Sequence, residues 1–143
     1  MSSSPSPVST HAAAELSVEL LDLLRGRALS FIATTMPDGS PQLTEVWVDT
    51  DGQHVIVNSV TTHLKVRNIQ RDPRIAITVA DPADPSAYFQ IRGRVTGMTT
   101  DGAADHIERM SRKYLGTPYP WYGGRDQVRI LLTITPEHVS AMR

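Results

Sequence analysis

Two strong turn signals, Pro37-Asp38-Gly39 and Asp51-Gly52, divide the first half of this chain into three β-rich segments. Ala28 to Met36 is an apolar run that meets the first turn. Pro41 to Thr50 resumes as a strand, and the second turn leads into His54 to Ser59. In the middle segment Thr44, Val46 and Val48 share one face, while Leu43, Glu45, Trp47 and Asp49 share the other. This spacing predicts a three-stranded meander joined by hairpins.

Further strands are expected near Arg74 to Ala80, Tyr88 to Thr96 and Gln127 to Thr135, the last placing Val128, Ile130, Leu132 and Ile134 on one face. Leu16, Leu20, Leu23 and Leu24 recur at helical spacing ahead of a C-capping Gly26. Ile107, Met110, Tyr114 and Leu115 make the stripe of a helix from about Asp101 to Leu115, closed by Gly116 and Pro118. With a short helix after Ser59, the sequence predicts six strands and three helices. Hairpin connections without regular βα alternation argue against a Rossmann sheet. An antiparallel sheet of this size hides its edges by closing, so the expected architecture is mainly β: a six-stranded antiparallel barrel with flanking helices.

At 143 residues and 40% hydrophobic composition, the chain is long enough for one domain and too short for two ordinary ones. Residues 1–14, MSSSPSPVSTHAAA, read as a disordered tail without the basic start and apolar core of a signal peptide, and residues 15–143 as the single domain. Lys plus Arg is 14 and Asp plus Glu is 15, so there is no global pull toward nucleic acid, and any anion binding must be local. Cysteine is absent, which removes disulfides, thiolate nucleophiles and sulfur ligands and fits a reducing cytoplasm. No apolar run approaches the roughly 20 residues of a membrane span.

The segment Asn58 to Arg74, NSVTTHLKVRNIQRDPR, reads as a strand running into a short helix that Pro73 stops. Thr61 and Thr62 are the expected N-caps of a helix over His63 to Arg71. A helix start normally favours Asp or Glu, yet the first two turns here carry His63, Lys65 and Arg67. Cations at that end are unfavourable unless an external anion completes the site, which suggests a phosphorylated ligand. A cationic helix is otherwise a solvated face, but a solvated helix more often places its cations near the C-terminal end.

The five histidines, at 11, 54, 63, 106 and 138, show no metal-binding spacing and no recognisable carboxylate partner, so no metal site is expected. The serines lack a nucleophile-elbow context. Asp38, Asp49 and Asp51 sit at turns, where local hydrogen bonding is the ordinary role. A phosphate site without acid, base or nucleophile is what a cofactor enzyme can look like, because the cofactor supplies the hard chemistry. Thr44 and Val46 are expected on a strand adjacent to Asn58 and Ser59, a surface over which a flat ring can lie. Other readings of the same residues are a non-catalytic cofactor carrier and, disfavoured by near-neutral charge, a single-strand nucleic-acid barrel.

From Ala33-Thr34 through Pro37-Asp38-Gly39-Ser40-Pro41-Gln42, Val46-Trp47-Val48-Asp49 and Asp51-Gly52 to Lys65-Val66-Arg67-Asn68 and Asp72-Pro73-Arg74, the chain resembles the pyridoxamine 5′-phosphate oxidase-like split-barrel superfamily. Within it, the resemblance is to the deazaflavin-dependent branch that uses coenzyme F420. It continues through Ile91-Arg92-Gly93-Arg94-Val95, Ala104 to Tyr114, Gly116, Arg129 and Pro136-Glu137-His138-Val139.

The resemblance implies a split barrel, a homodimer with cofactor sites at the subunit interface, and hydride transfer between F420 and a small conjugated organic substrate. It implies that His63, Leu64 and Lys65 hold the cofactor phosphate, Leu64 by backbone, with Asn58 and Ser59 at the strand end before them. Gln42, Leu43 and Thr44 correspond to the strand beside the ring. The flavin-using oxidases of the superfamily often carry an arginine next to this lysine and another on the ring-side strand. Here Leu64 takes the first position and Gln42 to Val48 has no arginine, which makes FMN the alternative and not the leading cofactor. Arg67, Arg71 and Arg125 are candidates to meet the acidic tail of F420, and Trp47 and Trp121 to flank a ring or substrate.

Overall fold

The structure, a computed structural model, describes residues 13–142. In chain order they form α1 (Val18–Arg25), β1 (Leu29–Thr35), β2 (Pro41–Val46), β3 (Val48–Thr50), β4 (Val55–Val60), α2 (Leu64–Arg71), β5 (Arg74–Asp81), β6 (Asp84–Thr99), α3 (Ala103–Leu115) and β7 (Arg129–Met142). All strand pairs are antiparallel, in one sheet ordered β2-β1-β5-β6-β7-β4-β3.

β2 and β3 lie at opposite ends of that order, yet only Trp47 separates them in the chain. So short a link brings the two ends of the sheet together, and the sheet curls into a split barrel whose seam runs between β2 and β3. The single strand expected over Pro41 to Thr50 is therefore two, and the sheet has seven strands instead of six. Alternation continues through Trp47, so nothing local marks the change of partner. β2 pairs with β1, from Ser30↔Val46 to Thr35↔Pro41, whereas β3 pairs with β4 through Val48↔Val57. The two hairpins form at the expected turns, but the meander does not: β4 sits between β3 and β7, so Thr44 and Asn58 are not on adjacent strands.

β6 and β7 extend beyond the expected 88–96 and 127–135. The register shifts between Arg92 and Gly93, where the strands approach so closely that a Cβ at Gly93 would run into the Thr135 carbonyl. Inward residues of six strands, among them Ile32, Val48, Val57, Ile77, Ile91, Leu132 and Ile134, are fully buried. α1 adds Leu20 and Leu24, each burial contributing about 1.5–3 kcal/mol, and Ser17 caps it by accepting from the Leu20 N–H at 3.2 Å.

The C-terminal end of α3 covers the seam. Trp47 stacks on Tyr114, ring centroids 5.1 Å apart. The Tyr114 hydroxyl accepts from the Val48 N–H at 3.1 Å and donates to the Ala28 carbonyl at 3.0 Å. Gly116, at φ 75°, ends that helix in the left-handed region as its sequence position predicted. Of the tail expected over 1–14, residues 1–12 lie outside the described residues, and Ala14 donates its N–H to the Pro136 carbonyl at 2.7 Å. No described helix is long and apolar enough to cross a membrane.

Candidate functional site

β4 ends at Val60, and two backbone bonds shape the turn that follows: Thr61 N–H to the Val128 carbonyl (3.0 Å) and His63 N–H to the Val60 carbonyl (2.9 Å). These bonds hold Thr61 and Thr62 outside the helix. The N-cap is His63 instead, α2 starts at Leu64, and no side chain caps it. The first turn carries no acidic residue, so its positive end is unanswered from within the helix itself.

α2 turns Lys65, Val66, Asn68 and Ile69 inward. Lys65 is only 8% exposed, and its Nζ donates to the Ser59 hydroxyl at 3.0 Å. Burial, reinforced by the charge of Arg129, lowers the Lys65 pKa from its ordinary 10.5. Arg129 opens β7 and is 9% exposed; burial lowers its pKa too, although Tyr119 opposes the shift. His63 is shifted down by burial and then by Lys65 and Arg129. Among the described residues, no carboxylate lies within ion-pair distance of Lys65 or Arg129.

These cations open into a cleft of ≈ 320 Å³, lined also by Asn58 and Ser59, by Glu45 and by the aromatic rings of Trp47, Tyr119 and Tyr122. Buried cations of one sign cost folding free energy unless something anionic compensates them. A second cleft, of ≈ 390 Å³, is lined by Glu19, Asp22, Asp81 and Asp84, and four carboxylates would repel an anion.

A hydrogen-bonded chain runs behind the cationic cleft. Arg129 Nε donates to Asn58 Oδ1 at 2.8 Å, and its Nη1 to the Tyr119 hydroxyl at 3.3 Å. Asn58 Nδ2 lies 2.9 Å from the Ala103 carbonyl and 3.0 Å from His106 Nδ1. His106 Nε2 lies 3.0 Å from Asp49 Oδ2. Burial raises the Asp49 pKa, but bonds from His106 and the Thr50 N–H, with the charge of Lys113, leave it below 3.8.

The family model for pyridoxamine 5′-phosphate oxidase matches residues 16–143. The chain belongs to the pyridoxamine 5′-phosphate oxidase family. Among solved structures, one described as an F420 reductase is 28% identical with a TM-score of 0.74, covering 83% of this chain and 94% of that one. A conserved hypothetical protein of Mycobacterium tuberculosis is 20% identical (TM-score 0.68; 91% and 86% covered), and General Stress Protein 26 of Bacillus anthracis 15% identical (0.63; 85% and 88%). The latter two share the fold. This is an oxidoreductase-type family whose barrel takes a small flavin-type cofactor.

In this family member the structure brings Asn58, Ser59, His63 and Lys65 to one cleft. Leu64, beside them, is 39% exposed, and its side chain does not line it. Gln42, Leu43 and Thr44 do not line it either. Gln42 Oε1 accepts from Thr34 (2.7 Å), its Nε2 donates to Thr44 (2.6 Å), and Asn68 Nδ2 donates to Thr34 (3.0 Å), so these side chains tie β1 and β2 to α2. Leu43 points outward, 66% exposed. β2 reaches the cleft later, at Glu45, Val46 and the Trp47 link.

Trp121 is held away from the cleft lining: its Nε1 donates to Glu108 at 3.0 Å and Arg125 lies over its ring. Arg71 bonds the Thr35 carbonyl and Asn68, while Arg67 is exposed on α2. Asp38 and Asp51 make the expected turn bonds, but Asp49 reaches His106 instead. Sequence reasoning about the site missed Arg129, Tyr119, Tyr122 and the Asp49–His106 pair. Arg129 left one signal, a lone cation at the head of an apolar strand.

Proposed function

We propose that this protein is an oxidoreductase that holds coenzyme F420 in the Lys65–Arg129 cleft and serves hydride transfer with a small conjugated organic substrate. The observation that carries the reading is the pair of buried cations, Lys65 and Arg129, without a carboxylate partner among the described residues, beside a helix start that lacks an acid. A phosphate fits that set: Lys65 Nζ, the Ser59 hydroxyl, the first-turn N–H groups at Leu64 and Lys65, and the His63 ring supply donors. Similarity to a structure described as an F420 reductase supports the deazaflavin. When bound, the deazaflavin supplies the hydride chemistry.

The chain's own part is to bind, orient and exclude water. Trp47, Tyr119 and Tyr122 line the cleft and offer ring faces to a ring system, and we assign to Arg67, exposed on α2, the role of meeting an acidic tail. Leu29, Phe31 and Tyr88 line an apolar outer surface of the barrel, with Leu43 exposed on the neighbouring strand. We assign that surface to a second copy, giving Leu43 and its strand a role at the dimer contact. Sedimentation should show a dimer that Leu43→Glu weakens, and a monomeric native protein would remove this part of the reading.

The test of the cofactor is a side-by-side titration with F420 and FMN, following each cofactor's fluorescence. F420 should bind preferentially, and Lys65→Ala should weaken it about 10- to 150-fold, the equivalent of about 1.5–3 kcal/mol for a charged hydrogen bond. Preference for FMN would move the protein to the flavin side of its family. Binding of neither, or a Lys65→Ala variant of unchanged affinity, would overturn the reading.

A further inference from the structure

We infer that Asp49 and His106 are positioning residues that, through Asn58, orient the Arg129 guanidinium at the cleft; this rests on the cleft taking an anionic cofactor. Each link in the chain has one allowed polarity. Asn58 Nδ2 faces two acceptors, the Ala103 carbonyl at 2.9 Å and His106 Nδ1 at 3.0 Å, so both of its hydrogens are engaged. That leaves Oδ1 toward Arg129 Nε, at 2.8 Å. A flipped amide would set its NH₂ against a guanidinium that can only donate. It would also turn an oxygen toward the Ala103 carbonyl.

The His106 tautomer follows from the same pattern. Accepting at Nδ1 places its proton on Nε2, which donates to Asp49 Oδ2 at 3.0 Å, and hydrogen bonds hold the Asp49 carboxyl in its ionised form. His106 is 4% exposed. It and Ala103 both belong to the first turn of α3, so the helix start presents both acceptors to one amide. The polarity set at Asp49 thus passes through His106 and Asn58 to Arg129. With Nε fixed and Nη1 on Tyr119, Nη2 has no hydrogen-bond partner among the described residues.

A double-mutant cycle separates this from general structural support. His106→Phe should weaken F420 binding about fivefold or more when Arg129 is present, and less than about twofold in an Arg129→Gln background. Equal losses in both backgrounds would overturn the relay. A second readout needs no cofactor. Nitrogen-15 NMR of the ligand-free protein should show His106 protonated at Nε2 and bare at Nδ1, with a slowly exchanging Arg129 Nε–H. That signal should vanish in His106→Phe and persist in His106→Asn, whose Oδ1 can replace the Nδ1 acceptor. An Arg129 signal unchanged by His106→Phe, or a proton on Nδ1, would overturn the inference whether or not F420 binds. Failure of the native protein to bind F420 would instead strike the cofactor reading.

Discussion

Lys65 and Lys113 are both removed from water and both shifted down by burial, but they are answered differently. Lys113 Nζ donates to the Leu24 carbonyl at 2.9 Å and the Val48 carbonyl at 2.6 Å, and the charge of Asp49 opposes part of the burial shift. Lys65 Nζ donates to the Ser59 hydroxyl, and the nearby charge of Arg129 adds to its burial instead of opposing it. One lysine closes a structural gap between α1, β3 and α3. The other is costly where it stands, a cost that the anionic cofactor of the proposed reading would offset.

Removing either side chain should therefore act on different quantities. Lys113→Ala removes the donor to two carbonyls and should lower stability by about 2–4 kcal/mol, read from the urea midpoint, with a far smaller loss of F420 affinity than Lys65→Met causes. Lys65→Met should do the reverse: the urea midpoint holds or rises, and F420 affinity falls about 10- to 150-fold. A large loss of stability in Lys65→Met would erase the contrast.

Titration sharpens it further. Both lysines bind a proton less tightly folded than unfolded, so the unfolded chain carries more protons between the lowered folded values and 10.5. Stability contributed through them rises with pH across that window and levels off above 10.5. Lys65→Met should flatten part of the rise in the urea midpoint. F420 affinity should move the opposite way, falling as Lys65 loses its charge. The smallest effect is expected at Arg71, exposed and bonded to the Thr35 carbonyl and Asn68. Arg71→Ala should cost about 1 kcal/mol in denaturation and leave cofactor titrations unchanged.

Local signals carried much of this molecule. Pro37-Asp38-Gly39 and Asp51-Gly52 placed both hairpins, and the missing acid ahead of Lys65 pointed to the helix start that borders the candidate cleft, because a helix end is judged by its own neighbours. Partner choice is not local. Val46, Trp47 and Val48 continue one alternation while the strand exchanges β1 for β4, so the seventh strand, and with it the place of Gln42 to Thr44 on the β1 side of the seam, could not be read. Arg129, Tyr119 and His106 belong to segments far from Lys65 in the chain, and pairing of β4 with β7 is what unites Arg129 with Asn58.

That pairing has a consequence for how the protein comes into being. β7 is the last of the seven strands to be synthesised, and it joins β6 to β4. Before it exists, the β3–β4 hairpin has no other strand to pair with, and these long-range contacts are the slow ones to form. Arg129 is the first residue of β7, so it arrives with the strand that shuts the barrel. On the proposed reading the cleft is complete only once β7 has paired, so a bound cofactor would stabilise the closed barrel and not the chain that precedes it.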